Sequence, residues 1–317
     1  MARADLLLDL VEAERRGDRE RFKVLVESVI AEERANQHHL LADRLSQLIT
    51  TTGQSVRDDH AVAMRDLIHE VVPNRRLEEL VLAPAPRRVV SELIEEQQRA
   101  DLLRSYGIEP RNRLLLSGPP GNGKTSVAEA IASELMLPFY IIRYEGVMSS
   151  FLGETAARLD SAFEFARTRR CVLFFDELDT IAKERSDEHE TGEIKRVVST
   201  LLLQVDRLPA HVIFIGATNH SELLDRAAWR RFQIRAELGA PTRDQATKFF
   251  ERLSVRLGGE LGFAPRTLAD KLAGASFAEL EEFALDVRRR LVLELPGGDM
   301  RRIARERLEN RRGQVRK

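Results

Sequence analysis

A chain of 317 residues with 43% hydrophobic side chains is long enough for about two domains and a sizeable core. Lys+Arg number 50 and Asp+Glu 51, so the −1 balance gives no global electrostatic basis for binding nucleic acid or a membrane surface. Cys171 is the lone cysteine, no apolar run approaches the roughly 18 residues of a membrane span, and Asp5 and Asp9 break the N-terminal leucines, so no disulfide framework, membrane helix or signal peptide is expected and the chain reads as cytoplasmic.

Residues 1–82 read as an all-helical N-terminal domain for docking or oligomerisation. Leu6, Leu7, Leu10 and Val11 recur at helical spacing; Phe22, Leu25, Val26, Val29 and Ile30 begin a second helix; Met64, Leu67, Ile68 and Val71 form a third, stopped by Pro73. Up to Leu82 there are 12 basic and 16 acidic residues, a balance of −4. The His38-His39 pair is a poor metal half-site, because adjacent residues diverge on a helix. Pro84 and Pro86 are expected to mark a linker or turn.

From residue 83 the pattern changes. Short apolar runs at Leu114–Leu116, Phe139–Ile142, Val172–Phe175 and Val212–Ile215 alternate with helical stretches near 124–136, 154–169 and 191–205. That alternation predicts an α/β domain over 83–240, a parallel sheet with helices on both faces. After Pro241 only helices are expected. Thr242 with Gln245 forms a capping box for a helix to about Leu257, followed by helices near 265–273 and 276–294. Residues 241–317 thus read as a small helical lid. Its last stretch, Asp299–Lys317, carries eight basic and three acidic residues and reads as a frayed, solvated tail.

Gly118-Pro119-Pro120-Gly121-Asn122-Gly123-Lys124-Thr125 fits the phosphate-loop pattern G-x-x-x-x-G-K-[ST], and it follows a strand and opens a helix as that loop requires. Glycines let backbone N–H groups face phosphate oxygens, and the helix N-terminus adds partial positive charge. Pro120, Gly121, Asn122, Gly123 and Ser126 therefore surround the phosphates with Lys124, which reaches the β- and γ-groups, while Thr125 ligates Mg²⁺. The strand Val172–Phe175 ends in Asp176-Glu177: Asp176 suits the Mg²⁺ shell and Glu177 the activation of water. Asp179 caps the helix beyond. The strand from Val212 ends in Thr218-Asn219, where Asn219 can hold the lytic water or sense the γ-phosphate.

In this order, from about Leu80 to Leu295, the motifs resemble the AAA+ ATPases, specifically the AAA clade of hexameric protein remodellers, in a short, single-ring, bacterial-type form with a helical N-terminal domain. The resemblance implies ATP and ADP as ligands with Mg²⁺. Leu223-Leu224-Asp225-Arg226-Ala227-Ala228-Trp229-Arg230-Arg231-Phe232 is similar to the region that supplies arginine fingers to a neighbouring subunit. The usual Pro-Gly between the two arginines is missing, so either Arg230 or Arg231 can be the finger. Ser149-Ser150-Phe151-Leu152-Gly153-Glu154 resembles the substrate-gripping pore loop, with Phe151, Leu152 and Gly153 facing an extended polypeptide. Ala275-Ser276-Phe277-Ala278-Glu279-Leu280 is similar to the Ser-Gly-Ala-Asp turn beside the nucleotide, with Phe277 in place of glycine and Ala278 as the contact. The segment Glu79–Leu82 stands where the family's adenine pocket lies, with a poor match to its usual pattern.

The resemblance implies ATP-driven remodelling or unfolding of a protein client through the pore of a homo-hexamer, with a separately encoded adaptor or peptidase as a further partner. A nucleic-acid motor or helicase loader of the same superfamily would want a basic surface, which the acidic N-terminal part denies and the basic tail keeps open; nucleic acid is the less expected partner. A non-hydrolysing nucleotide switch is the third reading, and Glu177 argues against it.

Overall fold

The computed structural model describes residues 25–26, 28–29, 67–142, 152–178, 193–223 and 226–314. The chain divides into two compact units, Met1–Ala63 and Met64–Lys317. Leu25, Val26, Ser28 and Val29 are helical, as the second N-terminal helix requires. The remaining N-terminal helices, His38-His39, Phe151 and Asp179 lie outside the described residues.

The second unit starts with strand β1 (Ile68–Val71), followed by helices α1 (Pro84–Gln98) and α2 (Ala100–Ser105). Strand β2 (Arg113–Ser117) leads through the phosphate loop into α3 (Lys124–Glu134). Then come β3 (Phe139–Ile142), α4 (Leu152–Arg167), β4 (Cys171–Phe175), α5 (Glu193–Asp206), β5 (Val212–Thr218), α6 (Arg226–Arg231) and β6 (Ile234–Glu237). Four more helices follow: α7 (Arg243–Arg256), α8 (Pro265–Lys271), α9 (Phe277–Leu293) and α10 (Met300–Gln314).

The six strands lie in the order β1-β3-β4-β5-β2-β6. All neighbours are parallel except β1, which runs antiparallel to β3 with Ile68 opposite Ile142. Alternate side chains go to opposite faces, as the pleat demands. Leu114, Leu116, Val172, Phe174, Ile213 and Ile215 pack against α1 and α3 through Val90, Leu93, Val127 and Ile131. Leu115, Leu173, Phe175 and Phe214 pack on the other face against Phe163 of α4 and Leu201 and Val205 of α5. Because both faces are covered, these strands read as unbroken apolar runs in the sequence. Each fully buried side chain of this size is worth about 1.5–3 kcal/mol.

The structure corrects four local expectations. The helix expected over Met64–Val71 is an edge strand at Ile68–Val71, where Leu67 and Ile68 reach the sheet core. Pro84 and Pro86 do not form a linker: they open α1, where proline's missing N–H costs nothing and its fixed φ suits the first turn. A sixth strand, Ile234–Glu237, pairs with β2 beyond the last expected one. The tail from Met300 is a packed helix, not a frayed end. Ile303, Ala304 and Leu308 are buried in the lid core with Phe250, Leu253, Leu280 and Phe283, while Arg302, Arg307 and Arg311 meet carboxylates, Arg307 Nε with Asp286 Oδ2 at 3.0 Å among them.

Candidate active site

Parallel strands bring the ends of β2, β5 and β4 to one edge of the sheet, the place where α/β folds bind ligands. The loop after β2 is fixed on both sides: Gly118 N–H donates to Thr218 O at 3.3 Å, and Leu238 N–H donates to Ser117 O at 2.7 Å. Gly118 takes φ +132°, and a Cβ there would lie 2.2 Å from the Leu238 carbonyl oxygen. Only glycine fits so close a crossing of backbones. No side chain caps α3 at Gly123, and the first-turn amides of a helix lack intrahelical partners. They are therefore available, with the helix dipole, to an anion.

Lys124 is 7% exposed. Its Nζ donates to Gly118 O (2.7 Å), Pro119 O (3.1 Å) and Asn219 Oδ1 (2.7 Å), so the ammonium bridges the loop and the tip of β5. Thr125 Oγ1 donates to Asp176 Oδ2 at 3.5 Å, and Asp176 Oδ1 accepts the Glu177 N–H at 3.0 Å. Glu177 has φ +54°, a left-handed backbone that costs a non-glycine residue of order 1–3 kcal/mol and is held here by its neighbour's carboxylate. The strained turn carries the exposed Glu177 carboxyl into the cleft. A hydroxyl and a carboxylate oxygen 3.5 Å apart can become adjacent ligands of an octahedral Mg²⁺ with bonds of about 2.1 Å. Among the described residues no group of three or more His, Cys, Asp or Glu forms a metal cluster; a site with one carboxylate and one hydroxyl suits an ion that keeps waters and phosphate oxygens.

The cleft has a volume of about 420 Å³ and is lined by Pro120 through Ser126, Asp176, Glu177 and Asn219. The structure thus gathers every nucleotide-site residue expected from the sequence. Ala278 is there too: its N–H donates to Gly121 O at 2.9 Å, tying the lid to the phosphate loop. Leu80, Val81 and Leu82 form part of the wall. They are held by a feature that no sequence signal marks. Glu129 Oε1 accepts the N–H groups of Asn74 (3.1 Å) and Arg75 (3.3 Å), and Glu134 Oε1 accepts that of Leu77 (3.0 Å), strapping this segment along α3. Phe249, Arg256 and Glu281 of the lid also line the cleft, and only the tertiary packing brings them there.

Glu279 closes the capping box of α9 with Ser276. The Ser276 N–H holds its carboxyl below the usual glutamate value; burial opposes this, and the Ser276 hydroxyl and Arg311 add to it. Arg230 and Arg231 are not in the cleft. Arg231 Nε meets Asp206 Oδ2 at 3.0 Å, while Arg230 is exposed. Leu152 and Gly153 start α4.

The family described as "ATPase family associated with various cellular activities (AAA)" matches residues 114–240. The uncharacterized AAA family ATPase y4kL of Sinorhizobium fredii is 33% identical over all of this chain and 98% of its own length. The peroxisomal ATPase pex6 of Schizosaccharomyces pombe is 43% identical over 43% of this chain and 15% of its own. The cell division cycle protein 48 homolog of Archaeoglobus fulgidus is 34% identical over 72% of this chain and 32% of its own length, so both of these relatives are far longer than the part matched. The crystal structure of the FIGL-1 AAA domain has the same fold, with TM-score 0.61 and 21% identity over 80% of this chain and 90% of that one. With a full-length relative, a family match and a nucleotide cleft assembled at the sheet edge, the chain belongs to the AAA family and is an ATPase.

Proposed function

We propose that this ATPase remodels or unfolds a protein client, drawing it through the central pore of a homo-hexamer in the cytoplasm. One observation carries the assembly. The cleft holds its own lysine, carboxylates and Asn219, yet neither Arg230 nor Arg231 lines it. Arg231 is engaged by Asp206 of its own chain, and Arg230 is exposed, with no ion pair among the described residues. The arginines that do line the cleft, Arg75 and Arg256, come from the segment before α1 and from the lid, so an exposed Arg230 outside the cleft suits an arginine supplied to a neighbouring copy's ATP. Arg230 is the favoured finger.

In this reading the residues Pro120 to Ser126 bind the phosphates of ATP and later of ADP. Lys124, whose Nζ contacts Asn219 Oδ1 at 2.7 Å, reaches a phosphate oxygen, and Asn219 orients water or the γ-phosphate. Thr125 and Asp176 hold Mg²⁺, which supplies neutralising charge on the phosphates. Glu177 accepts the proton of the attacking water. The Ala278–Gly121 hydrogen bond passes the state of the phosphate loop to the lid. Phe151, with Leu152 and Gly153 at the start of α4, grips the client without reading its sequence.

Residues 1–82 are the proposed docking region, its separable part ending at Ala63, since β1 belongs to the sheet; an adaptor or peptidase is the expected further partner. Among the described residues no helix is long and apolar enough to cross a membrane. The basic tail does not favour a nucleic-acid client, because Arg302, Arg307 and Arg311 each pair with a carboxylate.

Glu177→Gln tests the reading. It should bind ATP, turn over at least about a hundredfold more slowly, and retain a protein client. Wild-type turnover should rise with an unfolded protein and not with DNA. Stimulation by DNA alone, or wild-type turnover in Glu177→Gln, would overturn it.

A further inference from the structure

Glu177 is exposed at the tip of β4 with φ +54°. A left-handed backbone at a non-glycine residue persists only where its surroundings hold it on more than one side. One hold is the Asp176 carboxylate, which accepts the Glu177 N–H at 3.0 Å. The other is the next residue. Leu178 is 6% exposed, and its side chain belongs to the core on the α4 and α5 face of the sheet, with Phe175, Phe214 and Phe232.

Leu178 enters that core through a gap in β5. Gly216 lies buried in the middle of β5, between Leu115 of β2 and Phe175 of β4. A glycine inside a strand weakens it and marks a close approach by another group. Gly216 has no positive φ, so its backbone does not call for glycine. The space around it does. A Cβ there would lie 2.3 Å from Leu178 Cδ1 and 2.9 Å from Phe232 Cζ, whereas carbon atoms in contact stand about 3.5–4.0 Å apart. The Leu178 methyl thus occupies room that any other residue at 216 would fill. Phe232 closes the seat from the side, stacked on Phe214 with centroids 5.9 Å apart and planes at 24°.

We propose that Leu178 is a positioning residue for hydrolysis. Seated between Gly216 and Phe232, it pins the strained turn to β5 and so keeps the Glu177 carboxyl directed into the cleft. The proposal rests on the reading of Glu177 as the group that activates water, and adds what holds that group in place.

Gly216→Ala in the full chain fills the seat and tests this. Leu178 Cδ1 must then retreat by more than about 1 Å to regain an ordinary contact, and the turn moves with it. A misplacement of that size should lower kcat roughly 10- to 100-fold, while ADP affinity, set by the phosphate loop, stays unchanged. Leu178→Ala empties the seat without crowding β5 and should show the same split, which carries the test if Gly216→Ala does not fold. Gly216→Ala combined with Leu178→Val gains one carbon and loses one, so it should recover most of the lost rate. Mixing Gly216→Ala with Arg230→Ala subunits should also restore turnover, whereas mixing with Glu177→Gln subunits should not, because those two lesions fall on the same carboxyl. Wild-type kcat in Gly216→Ala or Leu178→Ala overturns the proposal, as does a loss of rate that Leu178→Val fails to relieve. Complementation by Glu177→Gln overturns it too, since the lesion would then lie in the arginines ahead of Phe232. Wild-type turnover in Glu177→Gln is a different failure and ends the reading of Glu177 itself.

Discussion

Adjacent arginines at the end of α6 should separate cleanly on mutation. Arg231 Nε lies 3.0 Å from Asp206 Oδ2, and Arg113 Nη1 lies 3.1 Å from Asp206 Oδ1. The Arg231 and Asp206 side chains are 33% and 38% exposed, so screening by solvent keeps the pair at the surface value of about 0.2–1 kcal/mol. Arg231→Ala leaves Asp206 with Arg113, so no carboxylate is stranded. For a chain of this size 1 kcal/mol moves Tm by about 2–4 °C, and the shift should therefore be about 0.4–4 °C. Arg230 has no ion pair among the described residues and faces solvent, so Arg230→Ala should leave Tm unchanged. In turnover the order reverses. An arginine supplied in trans is worth about 10³–10⁵ in kcat, or about 4–7 kcal/mol of barrier. Arg230→Ala should lose that factor with ATP affinity intact, and Arg231→Ala should lose far less. Phosphate release at saturating ATP, thermal melting, and mixing of Arg230→Ala with Glu177→Gln subunits check this. Mixing should restore part of the activity, because some interfaces then pair an intact Glu177 with an intact Arg230. Wild-type turnover in Arg230→Ala refutes the assignment, as does a larger kcat loss in Arg231→Ala at unchanged Tm. Full activity of a dilute monomer refutes the trans arrangement altogether.

Gly118→Ala should destabilise the chain by about 3 kcal/mol or more and abolish ATP binding, since a Cβ would sit 2.2 Å from a backbone oxygen at φ +132°; an unchanged urea midpoint would contradict the backbone crossing. Phe151→Ala should abolish ATP-driven unfolding of a protein client while ATP affinity is retained; a protein that still unfolds its client has its grip elsewhere. Glu279 has its pKa lowered from 4.5, so its contribution to the lid is complete above that value and fades as pH falls through the lower folded-state pKa. Melting temperature should therefore fall more steeply as pH drops below about 4.5 in the wild type than in Glu279→Gln, and equal slopes would remove Glu279 from the lid's acid response. Deleting residues 1–63 should leave ATP turnover and assembly intact and abolish capture of the client held by Glu177→Gln; capture that survives the deletion ends the docking role.

Local chemistry makes much of this protein legible in its sequence alone. The glycines and Lys124 of the phosphate loop, the apolar runs ending at Asp176 and Asn219, and the capping boxes at Thr242 and Ser276 each depend on neighbours within a few residues, and each stands in the fold where those neighbours put it. What depends on distant partners is not legible there. Leu67, Ile68 and Val71 have helical spacing, but strand Phe139–Ile142, some 70 residues on, recruits Ile68–Val71 as a sheet edge. Met300–Gln314 looks like a charged tail because its arginines outnumber its apolar residues; the lid supplies both the core for Ile303 and Leu308 and the carboxylates for the arginines. The strand order puts β5 between β2 and β4, and only that order lets Asn219 reach Lys124 across 95 residues of chain. Tertiary packing alone likewise sets Arg231 on Asp206, leaves Arg230 to solvent, and seats Leu178 against Gly216. A periodicity records which face of an element is apolar, whereas pairing, register and the choice of partner are properties of the surfaces that meet it.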